Sequence, residues 1–297
     1  MSAQQNLVPN GSFEDTLGCP ASFDELNKAK YWYNPTLGSP DYFNACNSSL
    51  NTVSVPFNGG GNQYAKSGIA YSGFSVGFDT NGTFNNYREY IQIKLYSKLI
   101  ASKKYKLKFY VNRADSFFVS LKNIGAYLSQ NSISCNCTST LFYSPQISYE
   151  YFISDANNWT LIEGDFFSNG TEEYLTIGYF KDNNHDDTLM LRSEYDNYAY
   201  YYIDDVSLSA SESVIDLPNI FSPNGDGTND VFYFDTEEIN PVGLTIINRW
   251  GLKVFDSDKH FKWDGRTTSG ELCTSGTYYY IIQTETEIFK GFLELIR

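Results

Sequence analysis

The chain has 297 residues, more than one ordinary domain, and 17% of them are aromatic, with Tyr 25 and Phe 22 against Met 2. Ring-rich, Met-poor composition favours half-buried pleated strands over packed helices, so the expected class is all-β. Thirty-five acidic against 21 basic side chains give a net charge of -14, a field that repels a phosphate backbone and disfavours nucleic-acid binding, so no nucleic-acid partner is expected. No apolar run approaches the roughly 20 residues that a membrane-spanning helix needs.

The opening residues, MSAQQNLVPNGSFED, lack the basic and apolar regions of a signal peptide. Ser2-Ala3 before Gln4 resembles the small-residue remnant of a cleavage site, so the expectation is a mature exported chain with Met1 in place of its leader. Five cysteines, at 19, 46, 135, 137 and 273, lack the paired spacing of a zinc site. In an oxidising compartment Cys19 and Cys46 could staple a long loop. Cys135 and Cys137 could close a small ring or stay reduced, and Cys273 is the expected leftover.

From residue 6 to about 209, short apolar-polar alternations are separated by Gly, Asn, Ser and Asp turns, the pattern of a β-sandwich. YKLKFYV (105–111) alternates cleanly, and YLTIGYF (174–180) and AYYYIDDVSL (199–208) are stronger runs suited to central strands. Residues 129–144, rich in Ser, Thr, Asn and Cys, read as a long loop. Aromatic faces stack on sugar rings, so the cluster Tyr31, Trp32, Tyr33 and Tyr42 is the candidate ligand platform. For Trp32 and Trp159 core packing is the competing role.

Gly73-Phe74-Ser75-Val76-Gly77 fits the GxSxG pattern of a nucleophile elbow, and His185, Asp186 and Asp187 follow it. The elbow requires a strand-to-helix turn, whereas Ser75 lies in an alternating stretch ahead of the Asn81-Gly82 turn, so no catalytic residue is assigned. The other histidine, His260, has no metal-ligand spacing around it.

Residues 209–213, SASES, have linker composition, and a second set of six or seven short strands follows. The boundaries expected are 1–210 for the first domain, 211–216 for a linker and 217–297 for the second domain. Within the second, SPNGDGTND (222–230) offers Asn224, Asp226, Thr228 and Asp230 as alternate oxygen donors, with Gly225 and Gly227 permitting a sharp backbone. With Asp235 in place of a closing Glu it is not an EF-hand. Side chains capping their own backbone amides explain the same residues without calcium.

NLVPNGSFED (6–15) together with YYIDDVSL (201–208) resembles the first and last strands of carbohydrate-binding-module-like jelly rolls, the galactose-binding-like β-sandwiches. That resemblance implies a structural calcium between those strands, with Glu14 and Asp204 or Asp205 as ligands. The segment from Gly18 to Cys46, with Cys19-Pro20, Trp32 and the Pro40–Phe43 run, resembles the opening loop of jelly rolls from gliding Gram-negative bacteria. It supports a Cys19–Cys46 bridge. LPNIFSPNGDGTNDVF, IINRWG, WDG, GTYYYII and KGFLELIR, in that order, resemble the gliding motility-associated C-terminal domain, the type B sorting domain of the type IX secretion system. This implies an Ig-like sandwich, passage through the periplasm, recognition by the type IX machinery, and a place on the cell surface or in the medium. Cys273 departs from that family's usual apolar residue.

The combined reading is an exported, non-catalytic adhesin-like protein that binds a glycan or another surface component. The alternatives are a structural subunit of a surface assembly or filament, and a secreted hydrolase.

Overall fold

The computed structural model describes residues 5–48, 52–78, 86–182, 185–192, 197–211, 217–234, 240–284 and 288–297. The chain divides into two compact units, Met1–Glu212 and Ser213–Arg297. Ordered secondary structure among the described residues is strand, apart from two single-turn 3-10 segments at Leu26–Lys28 and His185–Asp187.

The first unit is built on two five-stranded antiparallel sheets. One runs in the order Trp32–Tyr33, Tyr90–Lys94, Tyr174–Tyr179, Ile124–Ser129 and Ile147–Ser148. The other runs Thr160–Phe167, Lys104–Arg113, Tyr198–Ala210, Ala70–Gly77 and Asp41–Asn44. Alternation explains the layering. Leu107, Phe109 and Val111 from one sheet share a buried cluster with Ile91, Ile93, Leu175 and Ile177 from the other, while Lys104, Lys106 and Lys108 lie opposite them on their own strand and pair with Asp165 and Glu163.

Both outer faces are partly roofed. Phe43, Tyr71, Tyr200 and Tyr202 form a second buried cluster with Val53 and Ala114 on the outside of the Ala70–Gly77 sheet, their rings meeting mostly edge to face. Half-buried Trp159 packs against this cluster and donates its indole N–H to the Tyr64 carbonyl. On the opposite sheet, Tyr90 and Phe180 are covered by Ile133 and Leu141 of the 129–144 loop.

Residues 6–11 are tied to the last strand of the unit. Leu7 N donates to Leu208 O at 2.7 Å, Leu208 N donates to Asn6 Oδ1, and Val206 N donates to Gly11 O. Gly11 is required here, because a Cβ would stand 1.9 Å from the Val206 carbonyl oxygen. Cys19–Cys46 and Cys135–Cys137 are disulfides, and Cys273 is a buried free thiol.

The second unit has a five-stranded sheet in the order Ile220–Phe221, Ile288–Leu295, Gly276–Thr284, Pro241–Asn248 and Lys253–Ser257, with the first pair parallel. A two-stranded ribbon, Phe232–Tyr233 with Lys262–Trp263, brings the strands among the described residues of this unit to seven. Phe232 and Trp263 pack with Phe221, Leu244, Ile246, Tyr278, Ile282, Leu293 and Leu295. The last strand ends at Leu295, and Arg297 is held beyond it through the carbonyls of Gly265 and Cys273.

Candidate functional site

The four aromatic candidates separate by strand register. Trp32 is buried, stacks on Phe13 at 4.8 Å and donates its indole N–H to Asn10 O. Tyr42 is likewise buried and donates its hydroxyl to Phe13 O. Both are core residues, which corrects their assignment to an exposed platform. A two-residue strand must turn one of its side chains inward, and Trp32, with more apolar area than Tyr33, takes that position.

Tyr33 faces the other way. Its cross-strand neighbour is Gln92, which pairs with Thr176, which pairs with Tyr127, so these four side chains form one row across the outer face. The next row sets Lys94 beside Tyr174. The Lys94 ammonium lies 5.5 Å from the Tyr174 ring centre and 3.5 Å from Glu173. The 129–144 loop closes over the middle of the row: Gln92 exchanges hydrogen bonds with the Ile133 backbone, and Tyr143 stacks on Tyr127 at 4.6 Å. What stays open is the edge formed by Tyr33, Lys94, Glu173 and Tyr174, with the Tyr33 hydroxyl sharing a hydrogen bond with Ser132. Burial raises the Tyr33 phenol above its usual value, so it is a neutral hydrogen-bonding group. Tyr31 is 47% exposed, with the Lys30 ammonium 4.8 Å from its ring centre. Lys94, Tyr127 and Tyr174 were not singled out from sequence. The alternation in YLTIGYF places Tyr174 opposite the core, but only the register shows that it meets Lys94.

Glu14, Asp204 and Asp205 converge on the 66–70 loop. Glu14 Oε1 accepts from the amides of Ile69 and Ala70, and Asp204 Oδ2 accepts from those of Lys66 and Ser67. Asp205 Oδ1 accepts from the Ser67 hydroxyl. Asp204 is fully buried, and desolvation, with the Asp205 charge second, pushes its carboxyl up to about 8. Gly68 has φ +65°, and a Cβ there would come within 2.3 Å of Glu14 Oε1. Hard oxygen donors from both ends of the unit around one glycine turn suit calcium chemically. Even so, no three acidic, His or Cys side chains among the described residues already stand as a metal cluster.

The SPNGDGTND turn closes on itself. Asp230 accepts from the amides of Gly225 and Gly227 through its two oxygens. Asp226 accepts from Thr228 N and from the Asn224 amide group, and Asn224 Oδ1 accepts from Asp226 N. Gly225, Gly227 and Asn229 all have positive φ. The Asx-capped geometry accounts for these residues without an ion. Asp235 lies outside the described residues.

A further polar cluster escaped the sequence reading. Buried Glu89 accepts from Ser39, from the Tyr87 hydroxyl and from Ser75 N, and buried Asp41 accepts from the Tyr200 hydroxyl at 2.5 Å and from Asp24 N. Desolvation lifts both carboxyls, Asp41 to about 7. Ser75 sits within an antiparallel strand paired to Tyr198–Ala210, so the strand-to-helix turn of a nucleophile elbow is not formed there. The His185 side chain and the Asn81-Gly82 turn lie outside the described residues.

The second unit decides the cellular destination. Residues 215–295 match the CHU_C type IX secretion signal domain. The chain therefore carries an export signal for the cell surface or the extracellular space, and the signal implies an interaction with the secretion machinery. No curated protein matches the sequence. Among solved structures, the CBM22-1 xylan-binding domain of Paenibacillus barcinonensis Xyn10C is similar at 10% identity and TM-score 0.40, covering 72% of this chain and 99% of that one. The K3 adhesin domain of Lys-gingipain from Porphyromonas gingivalis is similar at 15% identity and TM-score 0.33, covering 58% and 91%. The K1 domain of the same protein gives 16% identity and TM-score 0.32, covering 68% and 96%.

Proposed function

We propose that the first unit is a non-catalytic recognition module for surface glycans, delivered outside the cell by the second unit. The observation that carries this reading is the Tyr33–Lys94–Tyr174 edge, where two half-buried rings flank an exposed lysine beside the 129–144 loop. It presents ring faces beside a cation and a carboxylate on rigid strands, the combination that holds sugar rings and their hydroxyls. Titration of the full chain against neutral and acidic polysaccharides tests it. Y33A/Y174A is expected to lose about tenfold or more in affinity, at about 1 kcal/mol or more per lost ring contact. Equal binding by this variant and the wild type removes the edge from consideration. Ser75→Ala is expected to leave any ester-hydrolysing activity of the preparation unchanged.

Calcium belongs to the same proposal as a structural ion. Glu14, Asp204 and Asp205 would hold it against the 66–70 loop, offsetting carboxylates that otherwise repel one another. Chelation is expected to lower the melting temperature of the wild type and to leave E14Q unaffected. A wild-type melting curve indifferent to both calcium and chelator excludes the ion here and at the 222–230 turn.

A further inference from the structure

Strands Phe57–Asn58 and Gly61–Asn62 form a tight hairpin in the first unit. With the turn at 115–118 it lines an open cavity of about 660 Å³, within the range of about 300–1,000 Å³ usual for small-ligand sites. Alternation gives the hairpin two faces: Asn58 is buried, and Phe57 is 51% exposed. Asn58 donates to the Tyr71 hydroxyl and accepts from the Tyr202 hydroxyl and from Gly60 N. Both tyrosines belong to the aromatic cluster outside the Ala70–Gly77 sheet, so the cavity lies on the opposite side of the sandwich from the Tyr33 edge.

The second wall is fixed to the first. Ser116 N donates to Gly60 O at 3.2 Å, and Asn62 N donates to Asp115 Oδ2 at 3.4 Å. The Asp115 carboxylate lies against Gly61, where φ is +134° and a Cβ would stand 1.4 Å from Asp115 Oδ1, so only glycine admits the acid at this place. Phe117 stacks on Tyr200 in the buried cluster, while Phe118 turns to the cavity. The Arg192 guanidinium covers Phe118 at 3.5 Å from the ring centre, which leaves Phe57 as the exposed ring.

These groups select a ligand. An exposed ring takes the C–H face of a sugar. Beside it, Asp115 keeps lone pairs beyond the one that Asn62 N uses, and a carboxylate only accepts, so it calls for hydroxyl donors. The Asn62 and Ser116 side chains can both donate and accept. Asp115 disfavours an acidic ligand, and the Arg192 cation on Phe118 disfavours an ammonium. An uncharged, hydroxyl-rich ring satisfies both.

We propose that this cavity binds one neutral sugar unit, stacked on Phe57 and held through its hydroxyls by Asp115, Asn62 and Ser116. The proposal rests on the reading of the first unit as a glycan-recognition module and adds to it a second subsite, specific for uncharged sugars.

Isothermal titration of the full chain with methyl glucoside, methyl galactoside, glucosamine and sodium glucuronate is the test. At least one of the two methyl glycosides is expected to bind saturably, with glucosamine no tighter and glucuronate weaker by about tenfold or more. F57A and D115A are each expected to weaken that binding by about fivefold or more, and Y33A/Y174A to leave it unchanged. F57L keeps apolar bulk without the ring; it is expected to melt like the wild type and still to bind weakly, which separates ring stacking from misfolding. No saturable binding of either methyl glycoside, or equal binding by wild type, F57A and D115A, overturns the proposal while leaving the Tyr33 edge untouched. Tighter binding of glucosamine overturns it in favour of a cationic ligand. A loss seen only in Y33A/Y174A overturns it too, and places the sugar at that edge.

Discussion

Asp41 makes the first unit sensitive to pH in a direction opposite to that of most carboxylates. Its titration point moves from 3.8 to about 7, chiefly by desolvation, with Glu89 adding repulsion. Between those values the folded chain holds a proton that the unfolded chain has released, so stability is greatest near pH 4, falls as the pH rises to about 7, and is level above that. At about 1.4 kcal/mol per pH unit, the difference is about 4 kcal/mol, or roughly 10 °C in the melting temperature of a unit of about 200 residues. Asp41→Asn removes the ionisation while keeping the contacts. Its oxygen still accepts from Asp24 N, and its amide can donate to the Tyr200 hydroxyl oxygen. Differential scanning calorimetry of wild type and D41N from pH 4 to pH 8 is the assay. The expected result is a wild-type curve that declines toward pH 7 and a D41N curve distinctly flatter. Two parallel curves would refute the argument, since the other lifted carboxyls, Asp204 and Glu89, would then carry the slope.

The two disulfides are expected to differ in worth. Cys19–Cys46 closes a loop of 27-residue separation, so C19A/C46A is expected to cost about 3.5 kcal/mol by loop entropy. C135A/C137A, with a separation of 2, is expected to change the stability of the global fold far less, and chemical denaturation of both variants measures the contrast. Gly11→Ala drives a methyl group into the Val206 backbone and is expected to destabilise by about 3 kcal/mol. Gly18→Ala, where nothing lies within 4 Å, is the matched control and is expected to melt close to wild type.

The strand pattern was legible because alternation is a local property: YKLKFYV shows its buried face without any partner. The export signal was legible for a related reason, since the order of its turn and strand motifs is itself the signature. The edge proposed for ligand binding was not. Tyr33 and Tyr174 are 141 positions apart in sequence, and only register brings their rows together. Asp41–Asn44 is buried on both faces, so alternation there cannot separate Tyr42 in the core from a tyrosine on the surface. Asp41 and Glu89 were equally hidden. An isolated acid in a sequence reads as surface, and its burial follows from roofing by loops that carry no periodic signal.

The hydrogen bonds of the Asn6 side chain to Val206 and Leu208 reach across 200 and 202 positions. A contact of such span can form only after nearly the whole first unit has been made. Until then the opening segment has no strand to lie against, and the sandwich remains unclosed. The strand at 198–210 is thus the clasp of the first unit, and a chain truncated before it would leave both the opening segment and the Lys104–Arg113 strand without their shared neighbour.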